Sequence, residues 1–297
     1  MRMDRDLLLL PVAIVAISSA SILIRLTEAD PVAITFWRLA IATAITIAVA
    51  EASGRGVKVG GWWPAAAAAG ALLAIHFTTW IASLFYTTIA ISTTLVNLHP
   101  LVMLAISKYG LSERVSRRTA IGVASSVAGS LLMFSAAAGL GGANLLGAFL
   151  AFIGALAFAG YLAVGRLVRA RADTLSYTAV AYGFAALFAL AASLGLGAKL
   201  FGYSPDVYAL FAAIAVVPML LGHSIFNYLL GRYRAITVAV SALGEPVGAT
   251  LLAMPIFGQI PQPNVVLGMA LILAGVVVVS LEEAQPKNPL ARASAST

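Results

Sequence analysis

The chain has 297 residues, of which 61% are hydrophobic and 10% are charged, and its mean hydropathy is +0.99. A soluble domain has about 45–50% apolar and about 25% charged residues, so this composition excludes an ordinary water-soluble protein. The absence of cysteine excludes disulfide bonds and thiolate metal sites. The net charge of +7 does not indicate nucleic-acid binding, because the basic residues lie in short loops between apolar stretches.

Ten apolar stretches have about the 20 residues that a membrane helix needs. The first follows a charged N-terminus, but it is longer than the apolar region of a signal peptide, about 7–15 residues, so a retained helix is predicted. No charge separates the third and fourth stretches, and a tight hairpin is predicted near Tyr86, Thr87 and Thr88. The predicted spans are approximately Leu7–Ile24, Pro31–Ala50, Trp62–Phe85, Thr88–Ser107, Thr119–Ala138, Asn144–Gly165, Leu175–Leu196, Val207–Leu230, Ile236–Phe257 and Val265–Leu281.

The basic residues predict the orientation, because cytoplasmic loops of membrane proteins carry an excess of lysine and arginine. With both termini in the cytoplasm, only Arg25 and Lys199 lie on the outer side, and Arg38 lies within a span. The predicted cytoplasmic set is Arg2, Arg5, Arg55, Lys58, Lys108, Arg114, Arg117, Arg118, Arg166, Arg169, Arg171, Arg232, Arg234, Lys287 and Arg292.

An internal repeat is indicated by a shift of about 146 positions, which aligns Pro100 with Pro246, Gly122 with Gly268, and Gly129 with Gly275. The predicted units are residues 1–140 and 141–283, each with five helices, followed by a disordered cytoplasmic tail at 284–297. Halves with an odd number of helices face opposite ways in the membrane, so the fold class predicted is an all-α membrane protein of two inverted repeats. Alternatively, the aligned glycines serve only close helix packing.

The two five-helix halves, the Phe36-Trp37-Arg38 stretch in the second span and Glu245-Pro246 in the ninth resemble the EamA type of the drug/metabolite transporter superfamily, over roughly residues 7 to 281. Bacterial exporters of aromatic amino acids are the members it resembles most. The resemblance implies a multi-pass protein of the bacterial inner membrane that exports small amphipathic metabolites, amino acids above all, or else organic cations and drugs. The first half departs from the pattern, because His99-Pro100 stands where the second half has Glu245-Pro246.

Polar side chains inside the spans are the candidate binding residues, because a charge at a helix centre costs about 2.5–3.5 kcal/mol on insertion scales. Prolines at positions 100 and 246 should kink their helices and free backbone carbonyls there. The alternative for Glu245 and Arg38 is a structural ion pair that joins two helices. His223, Asn227 and Tyr228 are interpreted as anchors at the membrane interface rather than as a gate. The predicted substrate-binding residues are Arg38, His76, Trp80, Asn97, His99, Ser241 and Glu245.

Several chemical classes lack their motifs in this sequence. It contains no HExxH, no GxxxxGK[ST] and no GxSxG motif, so neither an enzyme, a cofactor nor a metal site is predicted. The expected partners are a small-molecule substrate and the lipid bilayer, and nucleic acid is not expected. An intramembrane enzyme would need a nucleophile–base or metal set, and a structural membrane protein would not need polar residues at mid-membrane.

The predicted topology can be tested by labelling, since the chain has no cysteine of its own. A single cysteine in the loop Lys108–Arg118, for example at position 113, should resist an impermeant thiol reagent in intact cells and react after permeabilisation. Labelling in intact cells would contradict the orientation.

Overall fold

The computed structural model describes residues 5–87, 89–138, 145–258 and 260–283, and all regular secondary structure in these ranges is helical. The predicted tail and the junction between the two units, at 139–144, lie outside the described residues. A 3₁₀ turn precedes the first helix (Arg5–Leu8), and two segments are π-helical, Ile106–Gly110 and Ala215–His223. The α-helices are α1 (Leu9–Ser18), α2 (Ala20–Leu26), α3 (Pro31–Ala52), α4 (Trp63–Tyr86), α5 (Ile89–Val96), α6 (His99–Ala105), α7 (Arg117–Ala138), α8 (Leu145–Arg169), α9 (Thr174–Leu196), α10 (Pro205–Ile214), α11 (Ser224–Leu230), α12 (Ala235–Ala242), α13 (Gly244–Phe257) and α14 (Pro263–Glu283).

Eight helical stretches in the described part of the chain are long and apolar enough to cross a bilayer. The remaining two predicted spans are not among these eight stretches. One corresponds to the interrupted pair of helices α5 and α6, and the other corresponds to α7. The count of ten is therefore not established. The predicted break after the third span is present, because α4 ends at Tyr86 and Thr87 is extended. The eight stretches are Asp6–Leu26, Pro31–Ala52, Trp63–Tyr86, Leu145–Arg169, Thr174–Leu196, Pro205–Leu230, Ala235–Ile256 and Pro263–Glu283.

Two helices interrupted near their centres occupy equivalent positions in the two halves. The first interruption separates α5 from α6 at Asn97 and Leu98, and the second separates α12 from α13 at Leu243. Each is followed by a proline, Pro100 or Pro246, and proline cannot donate the backbone hydrogen bond that would continue the preceding helix. The interruptions therefore lie about 146 residues apart, the same shift that aligns the two halves of the sequence.

Helices α7 and α14 pack through glycines at reciprocal positions. A Cβ atom on Gly122 would lie 2.9 Å from the carbonyl oxygen of Gly275, and one on Gly275 would lie 2.3 Å from that of Gly122. Gly129 and Gly268 approach each other in the same way, at 2.4 and 2.6 Å. Because the lower-numbered glycine of α7 meets the higher-numbered glycine of α14, the two helices run antiparallel. Their backbones come this close only because neither surface carries a side chain.

A network of ion pairs joins helix ends on the side where the basic residues cluster. The Glu113 carboxylate accepts hydrogen bonds from Arg166 Nε at 3.1 Å, from the backbone N–H of Ala235 at 3.1 Å and from Ser107 Oγ at 2.9 Å. These contacts connect the loop before α7 to the end of α8 and the start of α12. Further ion pairs link Arg234 to Glu282 and Glu283, and Arg232 to Asp6.

The position of Glu113 affects the labelling experiment. Its side chain is only 8% exposed and is fully engaged in this network, so a cysteine there would be poorly accessible even on the correct side. Tyr109 lies within the same predicted loop, Lys108–Arg118, and is 78% exposed, which makes it the better labelling site.

The glycine contact between α7 and α14 predicts a position-specific loss of stability. Gly129→Ala should destabilise the fold by about 1–3 kcal/mol, because the new methyl group would overlap the Gly268 carbonyl. Gly195→Ala is the matched control, since a Cβ there meets nothing within 4 Å and alanine favours the helix. Thermal unfolding of the purified protein in detergent measures both. Equal melting of Gly129→Ala and wild type would contradict the close approach.

Candidate functional site

A small cavity lies between the two interrupted helices. Its volume is about 20 Å³, which is enough for one water molecule and too small for a metabolite. The structure is therefore closed around its centre. The cavity is lined by Ile17, Ala20, His76, Trp80, Val96, Asn97, His99, Phe158, His223, Phe226, Ala242 and Glu245.

Five of the seven predicted binding residues line this cavity, and the structure brings them together from α4 and the two helix interruptions. The other two, Arg38 and Ser241, do not line it. The Ser241 hydroxyl donates to the carbonyl of Thr237 at 2.8 Å, within its own helix. Arg38 lies behind the cavity wall, with its guanidinium carbon 3.7 Å from the centre of the Phe77 ring.

Stacked rings form one wall of the cavity. The His76 ring lies parallel to Trp80, with centroids 6.0 Å apart, and stacks on Phe158 at 4.6 Å. Phe158 also meets His99 edge-on at 4.7 Å. His76 Nδ1 is 2.9 Å from the carbonyl of Gly154, where the absence of a side chain allows α8 to approach α4. The wall is thus rigid, aromatic and suited to a flat apolar group.

His223 belongs to the cavity, and its interpretation as an anchor at the membrane interface is wrong. It is buried, and its ring lies 5.1 Å from Phe77 and 6.5 Å from His76. Asn227 is not an interface anchor either, because it is fully buried and bonds to the hydroxyls of Tyr161 and Tyr182. The sequence did contain a signal, since Pro218 inside an apolar span indicates a departure from α-helical geometry. The π-helical segment changes which residues face the centre.

Two polar atoms on the cavity wall have no hydrogen-bond partner in the described structure. They are Trp80 Nε1 and Glu245 Oε1, and both belong to cavity-lining residues. A buried donor or acceptor without a partner costs about 1–3 kcal/mol. An unpartnered polar atom beside a cavity therefore points to a ligand or water that forms the remaining hydrogen bond.

The structural ion pair considered for Glu245 and Arg38 is not observed, because no carboxylate among the described residues lies within 4.0 Å of the Arg38 guanidinium. The cavity histidines do not form a metal centre either. The described residues contain no group of three histidine or carboxylate side chains that could hold a metal ion.

His99 compensates for the break in its own helix. Pro100 has no N–H to offer the carbonyl of Val96, and His99 Nδ1 lies 3.1 Å from that oxygen. His99 Nε2 lies 3.1 Å from the carbonyl of Ala239 in α12, so the same ring connects the two interrupted helices. A neutral imidazole carries one N–H, so the ring donates a hydrogen bond to one of these two carbonyls. Both nitrogens face the backbone, which leaves the ring face as the part available to a ligand.

This bracing role predicts that His99→Ala lowers stability by about 1–3 kcal/mol, because one of the buried carbonyls of Val96 and Ala239 loses the N–H donor of the ring. His223→Ala is the matched control, since that histidine also lines the cavity but makes no hydrogen bond within the described residues. Thermal unfolding in detergent should give a clearly lower melting temperature for the His99 variant. Equal losses would assign the effect to cavity formation alone.

Comparisons with known proteins agree with this architecture. The sequence matches the EamA-like transporter family twice, over residues 7–135 and 145–281. One crystal structure, whose description names no function, superposes with a TM-score of 0.78 at 21% identity, over 96% of this chain and 99% of the other. At that identity the likeness establishes a shared fold only. No curated protein matches the sequence significantly.

The family match covers most of the chain and falls as one match in each half, which establishes the two-repeat organisation of a multi-pass membrane protein. Members of this family move small molecules across a lipid bilayer and are not enzymes. The chain belongs to the EamA-like transporter family.

Proposed function

We propose that this transporter exports small amphipathic metabolites, with aromatic and hydrophobic amino acids as the main substrate class, from a bacterial cytoplasm. The observation that carries the proposal is the closed central cavity, where stacked rings adjoin unpartnered atoms of Trp80 and Glu245. The rings suit an apolar side chain, and the Glu245 carboxylate suits an ammonium group. The proposed binding residues on the wall are His76, Trp80, Asn97, His99 and Glu245.

The proposed architecture is a pair of inverted five-helix repeats, residues 1–140 and 141–283, with ten crossings and both termini in the cytoplasm of a bacterial inner membrane. Three observations support it. The family matches once in each half, the helix interruptions lie about 146 residues apart, and the equivalent helices α7 and α14 pack antiparallel through reciprocal glycines. Equivalent helices that run antiparallel are related by an axis perpendicular to them, which lies in the membrane plane for helices that cross it.

Export would proceed by alternating access around the central cavity. The ion pairs around Glu113 and Arg234 lie on the proposed cytoplasmic side, so they would separate when the cavity opens to load substrate. No ion pair between described residues closes the opposite side. That side holds Trp37, whose ring meets Phe201 and Tyr208 edge-on at 5.7 and 5.4 Å. The two gates would therefore differ chemically, one ionic and one aromatic.

A multidrug or organic-cation exporter is the second candidate, favoured by the Glu245 carboxylate on the cavity wall. The two candidates differ in how much they need this charge. A cation depends on it for recognition, whereas an amino acid keeps other contacts when it is neutralised.

Transport in liposomes, measured with a panel of amino acids and organic cations, tests the proposal directly. Trp80→Phe should raise the KM about three- to tenfold, because it keeps an aromatic ring and removes one hydrogen-bond donor. His76→Ala should reduce transport further, since it removes the ring that stacks between Trp80 and Phe158. Trp63→Phe is the control, because Trp63 is 46% exposed and lies at the start of α4, away from the cavity. Unchanged transport in both cavity variants would place the pathway elsewhere.

Glu245→Gln separates proton coupling from simple charge recognition. The substitution keeps the shape of the side chain and removes its titration, so a transporter that exchanges protons at this site should lose its pH dependence. If Glu245→Gln loses organic-cation transport and keeps amino-acid transport, the carboxylate is needed only for cations. That result would favour amino-acid export over organic-cation export as the main function. Glu51→Gln, on the exposed end of α3, is the control and should change neither. A pH profile identical to that of the wild type would exclude Glu245 as the coupling site.

A further inference from the structure

Arg38 is an arginine buried inside the bundle, and no carboxylate of the described residues lies within 4.0 Å of its guanidinium. Its side chain has no exposed surface, and two of its three nitrogens, Nε and Nη1, have no hydrogen-bond partner in the part of the chain that the structure describes. The third, Nη2, lies 3.7 Å from the sulfur of Met219. A thioether sulfur is a weak acceptor, so this contact replaces little of the hydration that the guanidinium loses.

Two side chains cover the guanidinium. Phe77 presents its ring face to the guanidinium at 3.7 Å, which is a cation–π contact. The sulfur of Met219 lies 3.7 Å from Nη2. Neither supplies the planar pair of acceptors that an arginine fork binds best. An arginine at this depth in a membrane protein normally pairs with a carboxylate or a backbone carbonyl. The guanidinium thus has the environment of a group that binds a planar anion.

The carboxylates of the described protein do not supply this partner. Glu245 interacts with Arg38 electrostatically but lies beyond 4.0 Å. Asp30, on the same helix, accepts the N–H of Val32 as the helix cap and sits two turns away. The acidic residues of the ion-pair network, Glu113 among them, belong to the helix ends near the proposed cytoplasmic surface.

We infer that Arg38 is the receptor for the carboxylate of the transported molecule, a subsite that opens when Phe77 and Met219 move aside. This inference rests on the proposed export function and defines its substrate class. Arg38 lies behind the wall of the cavity that Glu245 lines, so a site that includes both fits a zwitterion. The ammonium group pairs with Glu245 and the carboxylate forms a bidentate pair with Arg38.

The π-helical segment Ala215–His223 provides the means of opening. It carries both Met219, which covers Arg38, and His223, which lines the cavity. Pro218 interrupts its backbone hydrogen bonding, and π-helical turns are uncommon and concentrate at functional sites. A shift of this segment moves both side chains together. It also frees Phe77, whose ring packs against His223 at 5.1 Å. The cavity and the guanidinium then become one continuous site.

The first test uses the wild-type protein in liposomes and three ligands that share one ring: tryptophan, tryptophanamide and tryptamine, or the corresponding phenylalanine series. The amide and the amine keep the ammonium group and lack the carboxylate. The inference expects the amino acid to have a KM at least tenfold lower than either relative. Comparable KM values for all three would overturn the inference while leaving export itself intact. Transport of none of them, or of any amino acid in the panel, would instead refute the proposed function, and the inference with it.

The second test is Arg38→Gln, which removes the charge and the fork. The KM for the amino acid should rise at least tenfold, to the level of the amide, while the KM values of the amide and the amine stay unchanged. Arg38→Lys should recover part of the difference, because it restores charge without the bidentate geometry. Arg55→Gln is the matched control, since it makes the same exchange at an exposed arginine that does not line the cavity and should leave all three KM values unchanged.

A purely structural role for Arg38 would have a different signature. Arg38→Gln would then reduce transport of all three ligands in equal proportion and lower the melting temperature, and this outcome overturns the inference. If the variant does not fold, the ratio of the three wild-type KM values still decides, because it needs no substitution at Arg38.

Discussion

The centre of this protein depends on one constraint, that backbone polar groups within a bilayer must find their partners inside the protein. An interrupted helix violates it locally, and here two interruptions meet in the same place. At the break before α6, the His99 ring lies between the carbonyl of Val96, which Pro100 leaves without a donor, and that of Ala239 in the other interrupted helix, and its single N–H can donate to one of them. A buried cavity with polar walls is the direct consequence, because irregular backbone is tolerated in a membrane only where protein or water covers it.

The scaffold is repeated, but the chemistry of its two halves is not. The shift of 146 positions that relates the interruptions also relates His99 to Glu245, Phe77 to His223, and Trp80 to Phe226. Each pair places a different chemical group at an equivalent position, and five of these six residues line the cavity. A ligand at the centre therefore meets aromatic rings from both halves, whereas the carboxylate of Glu245 comes from the second half alone. The repeat gives each half an interrupted helix at an equivalent position. The differences between the halves place different chemical groups around the centre, which can orient an asymmetric ligand.

The sequence was sufficient to predict an all-helical membrane protein, the break at Tyr86, and the interruptions at Pro100 and Pro246. A lipid bilayer requires backbone groups to bond within each helix, and proline removes one such bond wherever it occurs. Five of seven candidate residues reached the cavity wall for the same reason, since polar groups at mid-depth must face inward. The misinterpretation of His223 concerned its depth in the span Pro205–Leu230, and the shift of 146 positions, which makes His223 equivalent to Phe77, carried the correct information. Apolar wall residues such as Phe158 and Ile17 could not be found, because a phenylalanine or isoleucine facing a cavity has the same sequence pattern as one facing lipid or core. Arg38 was recognised as a polar residue in a span, but only the coordinates place it behind Phe77.

The closed state carries a cost that favours its opening. Trp80 Nε1, Glu245 Oε1 and two nitrogens of Arg38 are buried without a hydrogen-bond partner among the described residues, and each such group costs about 1–3 kcal/mol relative to its bonded form. The glycine contact between α7 and α14 fixes the close packing of those two helices, so this strain is not relieved there. The segments with weakened backbone hydrogen bonding, at the two interruptions and in Ala215–His223, are the ones that border the unpartnered groups. A ligand or water that bonds to those groups binds next to the segments whose backbone hydrogen bonding is weakest. Occupancy of the site is therefore coupled to movement of these segments.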